Sequence, residues 1–237
     1  SIIYHLNKEL DIKALCIFPK QYFRRKDDIC TLSHFPYTSS YIPLVSALCV
    51  TKNNYTMLRR SIQCFLDQDY PNKELVIVYD NKSESMRSLL AEKYPDNIHI
   101  VYSDIGTLGG LRNFSVSCAK GEYCIQWDDD DLYAPERISV MLRNAFNDSS
   151  SYDTVVLRNV YKFNAVENML LMSEDTYAYG FEGSVLFKRS SFGPHHCYTE
   201  KSCFEDTDFM TTSKIPRILD RPDLYIYIYH SANTWRE

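Results

Sequence analysis

Glycine is scarce in this chain, and two glycine-rich patterns that commonly hold nucleotide phosphates are missing. Only 7 of the 237 residues are glycine. Neither the P-loop pattern GxxxxGK with a following Ser or Thr nor the dinucleotide pattern GxGxxG occurs, and both need glycine where the backbone approaches a phosphate. The sequence therefore argues against a P-loop enzyme and against a dinucleotide-binding enzyme.

Positive charge and long apolar runs are also in short supply. Lys and Arg number 26 against 31 Asp and Glu, a formal charge of −5, whereas nucleic-acid binding needs a basic face. Nucleic acid is therefore not expected as a partner. No apolar run reaches membrane-spanning length and Ser1 opens no signal-like segment, but the chain begins without Met, so we expect a fragment of something longer.

The eight cysteines form no CxxC pair. Cys49 and Cys124 lie inside apolar strand patterns, where a thiol behaves as a small hydrophobic group. Scattered cysteines in a chain of this length are typical of a reduced, cytosolic protein. With 45% hydrophobic and 24% charged residues, the composition is that of an ordinary globular domain. We expect residues 1–42 to form an N-terminal extension packed on a main domain that spans residues 43–237.

From Pro43 onward, apolar runs of strand length alternate with helical patterns. The runs PLVSALCV, ELVIVYD, NIHIVYS and GEYCIQW predict strands. The apolar positions expected to face inward on the first two helices are Leu58, Ile62, Phe65 and Leu66, then Met86, Leu89 and Leu90. This order predicts an α/β fold with a parallel sheet, helices on its faces and ligands at the carboxyl ends of its strands. Later runs, TVVLRNVYKF, ENMLLM and FEGSVLFKRS, predict antiparallel strands, and FEDTDF a short helix.

Four consecutive acids, Asp128–Asp131, follow the strand Tyr123–Trp127; we call them the acid run. They could form a solvated turn that caps a helix with Pro135 in its first turn. Capping uses only one or two acids, however, and four adjacent carboxylates beside a core need a compensating cation. The sequence therefore favours a divalent metal site for Mg²⁺ or Mn²⁺ with a bound phosphate.

Other polar side chains are expected at the same strand ends. Thr51, Asn53 and Asp80 each follow a predicted strand, although any one alone could be a turn former or a helix cap. Arg112 is a candidate cation for a phosphate, with a solvated helix residue as the alternative. Their convergence on one edge favours a binding site.

Together these pieces resemble the family 2 inverting glycosyltransferases with the GT-A fold, from about Pro43 to Trp235. The resemblance rests on VSALCVTKNN, FLDQDYPNKELVIVYDNKS, LGGLRN, AKGEYCIQWDDDDLYAPERI, EGSVLFKRS, FEDTDF and HSANTW, in that order. It implies a Rossmann-like fold whose mostly parallel central sheet has helices on both faces, with a smaller antiparallel acceptor-side region. Residues 43–135 would be the nucleotide-binding half and residues 136–237 the acceptor-binding half.

The resemblance also assigns roles to individual residues. Thr51, Asn53 and Asp80 would hold the nucleotide base, Arg112 would lie near the base or diphosphate, and Asp128 or Asp129 would face the ribose. Asp130, within the DxD motif, and His230 would bind the metal. Asp206 would be the catalytic base, with Glu205 as its orienting neighbour and Asp208 as a further acid that tunes its pKa. The chain departs from the family pattern with Tyr79 in place of an Asp and with Asn81-Lys82 in place of Gly-Ser.

The implied function is metal-dependent, inverting transfer of a sugar from a nucleoside-diphosphate sugar, expected to be UDP-linked, to a hydroxyl of a glycan or glycolipid. Bacterial surface polysaccharide synthesis is the implied setting, in the cytoplasm at the inner face of the membrane, with membrane association and an oligomer or larger polypeptide left open. Three alternatives remain: a catalytically silent sugar-nucleotide-binding subunit, a sugar nucleotidyltransferase, whose glycine-rich basic loop the segment TKNNY lacks, and a metal-dependent phosphohydrolase.

Overall fold

A computed structural model describes residues 42–52, 55–146, 152–173 and 179–230, together with residue 233. Most of the expected N-terminal extension (residues 1–41) and the candidate base-binding residue Asn53 lie outside these described residues.

Strands and helices alternate through the first half, as predicted. The elements are β1 (Val45–Thr51), α1 (Tyr55–Leu66), β2 (Lys73–Tyr79), α2 (Glu84–Leu90), β3 (Ile98–Tyr102), α3 (Leu108–Cys118) and β4 (Tyr123–Gln126). Strand β1 pairs in parallel with both β2 and β4, and β2 pairs in parallel with β3. The carboxyl ends of these strands therefore meet at one edge of the sheet.

The second half supplies shorter strands. Its elements are β5 (Leu132–Tyr133), α4 (Arg137–Ala145), β6 (Thr154–Leu157), β7 (Tyr161–Asn164), β8 (Met169–Met172), β9 (Phe181–Lys188), α5 (Glu205–Thr212), β10 (Arg217–Leu219) and β11 (Tyr225–Tyr229). Two short 3₁₀ helices, Arg189–Ser191 and Pro222–Leu224, connect them.

Two sheets organise the described residues. The central sheet has the order β10-β6-β9-β4-β1-β2-β3, and β9 is the strand that runs antiparallel to its neighbours β4 and β6. The small sheet has the order β5-β11-β7-β8, antiparallel except for the β11–β7 pair. The predicted α/β class, with a mostly parallel sheet and a smaller antiparallel region, is confirmed.

The segment TVVLRNVYKF, predicted as one strand, is divided between the two sheets. Its first part is β6, in the central sheet, and its last part is the start of β7, in the small sheet. Between them the Arg158 backbone N–H donates to the Leu219 carbonyl at 2.7 Å, and the Val160 N–H donates to the Ser173 hydroxyl at 2.9 Å. The first bond continues the pairing of β6 with β10 and the second lies beside the pairing of β7 with β8, so the chain changes sheets between them.

Helices cover both faces of the central sheet. Buried side chains of α1, α2 and α4 share one apolar cluster with β1, and those of α3 and α5 share a second cluster on the other face. Two predicted inward positions are wrong, because Leu66 and Leu90 are 37% and 45% exposed. Each is the last residue of its helix and directly follows a buried residue, so it points about 100° away from the buried stripe.

Cys49, Cys64, Cys118, Cys124, Cys197 and Cys203 are all free thiols. Among the helices of the described residues, none has both the length and the apolar character that crossing a membrane would require.

Candidate active site

A cleft of about 290 Å³ opens between the central sheet, α5 and the small sheet. Seven carboxylates line it, from Asp128, Asp129, Asp130, Asp131, Glu182, Glu205 and Asp206. The first four follow β4, Glu182 lies near the start of β9, and the last two begin α5. Because carboxylates so close together repel one another, the arrangement calls for cations or protons in the cleft.

Hydrogen bonds from neighbouring elements hold the backbone of the acid run. The Asp128 carbonyl accepts from the hydroxyls of Ser61, at 2.9 Å, and Tyr133, at 3.1 Å. The Asp130 carbonyl accepts from Arg60 Nη2 at 2.8 Å. The alternative of a helix cap is wrong, because α4 begins at Arg137 with Glu136 as its cap residue and no side-chain cap bond.

Arg112 joins the two acidic sides of the cleft. It is buried on α3, and it donates from Nη1 to Asp128 Oδ1 at 3.2 Å and from Nε to Glu205 Oε1 at 3.0 Å. The alternative of a solvated helix residue is therefore wrong. Although desolvation acts in the opposite direction, the charges of Asp128 and other neighbours raise the pKa of Arg112 above its ordinary value, so the bridge stays charged.

Asp129 is held from the end of β1. The Thr51 hydroxyl donates to Asp129 Oδ2 at 2.5 Å. Desolvation and the neighbouring charge of Asp130 raise the pKa of Asp129 to about 7, although the Thr51 hydrogen bond acts in the opposite direction. A cation bound nearby would offset this repulsion and favour the ionised form.

Asp130 meets the segment that follows β11. Its Oδ2 lies 3.0 Å from His230 Nε2 and accepts from Asn233 Nδ2 at 3.2 Å. Asn233 was not expected from the sequence, and its second bond, from Nδ2 to the Ile228 carbonyl at 3.1 Å, ties this contact to β11. The two predicted metal ligands, Asp130 and His230, are thus brought together across 100 residues of sequence.

Asp130 and His230 together could offer one oxygen and one nitrogen ligand to a divalent ion. Within the described ranges no group of three or more His, Cys, Asp or Glu side chains is arranged to hold a metal ion. One carboxylate and one imidazole suit an ion that takes most of its ligands from phosphate oxygens and water, and a mixed N and O set suits Mn²⁺ better than Mg²⁺.

Asp131 differs from the other acids of the run because it is bonded inside the protein. It is 1% exposed, its Oδ2 accepts from the Tyr225 hydroxyl, and its Oδ1 accepts from the Ile228 N–H at 2.7 Å. Burial and the nearby charges of Asp130 and Asp128 raise the pKa of Asp131, against the effect of these bonds. Asp131 anchors β11 to the acid run, a role that the sequence pattern did not distinguish.

The predicted catalytic pair opens helix α5. Asp206 lines the cleft, and its Oδ1 accepts from the Thr207 N–H at 2.9 Å. Glu205 is buried and bonds to Arg112. Asp208, expected as a tuning acid, instead accepts from Thr199, at 2.7 Å, and pairs with Lys201, at 2.8 Å. It lies on the other side of the first turn and does not line the cleft.

Glu182 supplies an acid that the sequence did not single out. Its Oε2 accepts from the Thr207 hydroxyl at 2.8 Å. Desolvation raises its pKa to about 7, and the charges of Asp206 and Glu205 add to this, although the Thr207 bond lowers it. An acid at the start of the predicted strand FEGSVLFKRS was the available signal, since polar residues near strand ends are often functional.

Phe204, directly before the acids of α5, has an unusual backbone conformation. It lines the cleft in the left-handed conformation, with φ 61°, and is 52% exposed. A bulky residue in this region is strained, and such strain clusters at functional sites. Nothing in the sequence indicated this conformation.

Three predicted site residues lie next to the cleft without lining it. Thr51 and His230 reach it through Asp129 and Asp130. Asp80 follows Tyr79, which pairs in register with Thr51. Thr51 and Asp80 therefore lie at the same edge of the sheet, and neither lines the cleft.

The sequence matches the profile of the family Glycosyl transferase family 2 over residues 46–201. This range includes the acid run and stops before Glu205. Among curated proteins the chain is 34% identical over 103 residues to WcaA of Escherichia coli K12, named for colanic acid biosynthesis. The match covers 42% of this chain and 37% of WcaA, and three rickettsial glycosyltransferases are covered to between 17% and 36% of their length. The chain thus spans well under half the length of these relatives.

Two solved structures share the fold at low sequence identity. S. aureus TarS in complex with UDP superposes with a TM-score of 0.64 at 14% identity, over 78% of this chain and 60% of that one. The mannosyltransferase PcManGT of Pyrobaculum calidifontis, in complex with GDP-Man and Mn²⁺, gives 0.57 at 18% identity, over 80% and 57%. The fold is accordingly GT-A.

Proposed function

Because the chain belongs to glycosyl transferase family 2, we propose that it transfers a sugar from a nucleoside-diphosphate sugar to a hydroxyl of a glycan or glycolipid, with inversion at the anomeric carbon. One observation carries the proposal: acids at a strand end and acids at a helix start face one cleft and are joined by Arg112. Such a cleft has separate groups for holding a donor and for activating an acceptor.

We assign the strand side to the donor. Thr51 and Asp80 lie at the carboxyl ends of adjacent parallel strands, the usual location for a nucleotide in an open α/β sheet. Asp128 or Asp129 would take the ribose. The guanidinium of Arg112 is already bonded to two carboxylates, so it fixes the acids in place and leaves little capacity for a phosphate.

Asp130 and His230 would hold a divalent ion, Mn²⁺ in preference to Mg²⁺ on the donor set described above. When bound, such an ion neutralises the charge that develops on the leaving diphosphate. Asn233 donates to the Asp130 carboxylate, and Arg60 donates to the Asp130 backbone carbonyl. Together these bonds fix the position of the carboxylate. The Mn²⁺ in the PcManGT complex supports the choice of ion.

We assign the helix side to acid–base chemistry. Asp206 would accept the proton of the acceptor hydroxyl while that oxygen attacks the anomeric carbon from the face opposite the diphosphate. Its anchored Oδ1 limits rotation of the carboxylate. Glu205, bonded to Arg112, positions the start of the helix and does not take the proton.

Surface polysaccharide synthesis is the setting we propose, with UDP as the donor nucleotide. The name of WcaA supports the setting and the UDP complex of TarS supports the nucleotide. Location in the cytoplasm, at the inner face of the membrane, follows from the same setting.

A nucleotide-binding experiment tests the strand-side assignment. Thermal unfolding is followed with UDP, GDP and their sugars, each with Mn²⁺ and with EDTA, since a ligand that binds the folded state raises the midpoint. We expect a rise in the unfolding midpoint that requires the metal. Asp130→Ala should weaken the apparent affinity for the nucleotide by about tenfold or more. The exposed acid Asp96 gives a matched control, Asp96→Ala. Binding that is equal with metal and with EDTA would reject the metal assignment, and metal-dependent binding without transfer would favour the silent subunit.

A further inference from the structure

One residue of α5 holds two acids of the cleft. The Thr207 hydroxyl donates to Glu182 Oε2 at 2.8 Å, and the Thr207 backbone N–H donates to Asp206 Oδ1 at 2.9 Å. Glu182 lies near the start of β9 and Asp206 in the first turn of α5, so Thr207 joins acids from two separate elements. We call Glu182 and Asp206 the Thr207-linked acids.

Each Thr207-linked acid has a second oxygen that is not bonded within the described residues. Both acids and Thr207 line the cleft, and both acids are half-buried. Across the described ranges, Glu182 Oε1 and Asp206 Oδ2 accept no hydrogen bond, whereas Glu205 accepts from Arg112. The two remaining oxygens are therefore available to a ligand in the cleft.

The shared partner sets the spacing of the two acids. The backbone nitrogen and the side-chain hydroxyl of Thr207 are separated by two carbon atoms, Cα and Cβ, so the carboxyl groups bonded to them lie side by side. Hydroxyls on adjacent carbons of a sugar ring are also separated by two carbon atoms, and a carboxyl group accepts readily from a hydroxyl. The Thr207-linked acids therefore suit a vicinal pair of hydroxyls better than hydroxyls that lie further apart on the ring.

Glu182 can bind a sugar hydroxyl either as a donor or as an acceptor. Burial raises the pKa of Glu182 to about 7, the charges of Asp206 and Glu205 add to this rise, and the Thr207 bond opposes it. A carboxyl group with such a pKa is partly protonated near neutral pH, so it can donate from its O–H or accept at an oxygen. Because the proposed function gives the reacting hydroxyl to Asp206, Glu182 is left for the neighbouring hydroxyl.

An aromatic wall lies on the same side of the cleft. Phe181, which precedes Glu182, and Tyr227, on β11, both line the cleft, and their ring centroids are 6.0 Å apart. Edge contacts of this kind fix the orientation of the rings. A sugar has apolar C–H faces and a hydroxylated edge, so aromatic rings with a few polar groups beside them suit both parts of a saccharide.

We propose that Glu182 determines acceptor specificity, and that the acceptor sugar carries a free hydroxyl on the carbon next to the reacting one. Asp206 takes the reacting hydroxyl, Glu182 binds its neighbour, and Thr207 holds both acids in place. The proposal rests on the function proposed above and names its acceptor class. A sugar whose neighbouring position lacks a hydroxyl, or has it blocked, is a poor acceptor.

Deoxy sugars test this assignment. Methyl β-glucopyranoside has hydroxyls on three successive ring carbons; its 3-deoxy analogue has no adjacent pair, and its 6-deoxy analogue loses a hydroxyl but keeps the adjacent ones. These glycosides and the same series from galactose are titrated against the full chain by saturation-transfer NMR, with UDP and Mn²⁺ present. We expect the 3-deoxy analogue to bind about tenfold more weakly than its parent, the loss of one hydrogen bond to a carboxyl group. The 6-deoxy analogue should bind within about twofold of the parent.

Variants of Glu182 assign the preference to this residue. Glu182→Ala should weaken the parent glycoside by about tenfold and leave the 3-deoxy analogue within about twofold, so that the two bind alike. Glu182→Gln can still donate and accept, and it should keep the parent within about threefold of its wild-type affinity. Glu200→Ala, at an exposed glutamate, should keep the preference in full.

Variants of Thr207 test how Glu182 is held. Thr207→Ser keeps the hydroxyl that bonds Glu182, and Thr207→Val removes it while the backbone N–H that bonds Asp206 remains. We expect Thr207→Ser to keep the preference for the parent glycoside. Thr207→Val should reduce it to within about threefold, because Glu182 is then free to turn away. Thermal unfolding confirms that each variant is folded.

Several outcomes would overturn the proposal. They are equal binding of the parent and the 3-deoxy analogue, equal losses for the 3-deoxy and 6-deoxy analogues, a preference that survives Glu182→Ala, and no detectable binding of either parent glycoside. A folded Glu182→Ala variant that loses UDP and Mn²⁺ binding would also overturn it, because that places Glu182 in the donor site.

The nucleotide measurement distinguishes failure of this proposal from failure of the proposed function. If the wild-type chain binds UDP with Mn²⁺ but shows no preference among the glycosides, only the acceptor assignment fails. If it binds no nucleotide with or without metal, the proposed function fails.

Discussion

The two acidic sides of the cleft are built differently. On the strand side, the acid run receives hydrogen bonds from α1, β1, β5 and β11, and its backbone is fixed as firmly as its side chains. On the helix side, Asp206 is bonded to the N–H of the residue that follows it, and a left-handed Phe204 precedes the helix. The difference suits ligand binding on one side and proton transfer on the other. A carboxylate that only binds a ligand can be fixed from all sides, whereas a carboxylate that exchanges a proton must stay accessible.

Arg112 couples the two sides and limits what either can do. Its guanidinium bonds to Asp128 and to Glu205. Asp206, the other acid at the start of α5 that lines the cleft, is bonded to the Thr207 N–H instead. Glu205 is buried and its Oε1 already accepts from Arg112, so it is less accessible to an acceptor hydroxyl than the half-buried Asp206. In the function we propose, the proton-accepting role is therefore assigned to Asp206 and not to Glu205.

The largest expected effect comes from removing the proposed base. Asp206→Asn keeps the shape and the Thr207 N–H bond but cannot accept a proton, so we expect turnover to fall by about 100- to 10,000-fold. Turnover is followed as UDP release from UDP-sugars, and donor affinity is followed by thermal shift. Donor affinity should stay close to wild type, because we assign donor binding to the strand side.

Asp208→Asn is the matched control, since Asp208 lies in the same helical turn and pairs with Lys201 outside the cleft. We expect it to keep most of the turnover. If Asp206→Asn lost donor binding while remaining folded, or if both variants lost turnover equally, the contrast between the two sides would be wrong.

Local patterns made the strand side predictable. A buried strand followed by acids locates the acid run, and the parallel pairing of β1 with β4 brings Thr51 toward it. The sequence could not show which of four adjacent acids turns inward. Asp131 turns inward because its carboxylate accepts from the Tyr225 hydroxyl and the Ile228 N–H. Both partners lie more than 90 residues away in sequence.

The helix side was predictable only in part. A short helix with Glu205 and Asp206 could be expected from the sequence, but the direction in which each acid points depends on contacts made by loops. Lys201 draws Asp208 away from the cleft, and β9 brings Glu182 to Thr207. Such contacts have no period in the sequence, which is why Glu182 and Asn233 were missed.

An intermediate effect is expected from the acid that faces inward. Asp131→Ala leaves the Tyr225 hydroxyl and the Ile228 N–H buried without their acceptor, so we expect the free energy of unfolding to fall by about 2 kcal/mol. Urea denaturation measures it. Asp67→Ala, at an exposed acid bonded to Gln63, should change stability by less than about 0.5 kcal/mol. Equal losses for the two variants would show that the strand side is no more firmly built than the surface.

The smallest effect concerns Glu182 and depends on pH. Its pKa is raised from the ordinary value of 4.5 to about 7 in the folded protein. Between these values the unfolded chain releases the proton and the folded protein keeps it, so ionisation of Glu182 costs stability progressively as the pH rises from about 4.5 to about 7. Glu182→Gln cannot ionise, and its stability relative to wild type should therefore increase between about pH 5 and about pH 8 in urea denaturation.

The comparison between variants isolates Glu182, because every other acid of the cleft titrates in both proteins. Glu200→Gln, at an exposed glutamate, should give a stability difference from wild type that is the same at both pH values. If Glu182→Gln behaved like Glu200→Gln, the helix side would not hold a proton near neutral pH. The strand side would then be the place in the cleft where crowded carboxylates retain protons, and a bound cation there would have to displace them.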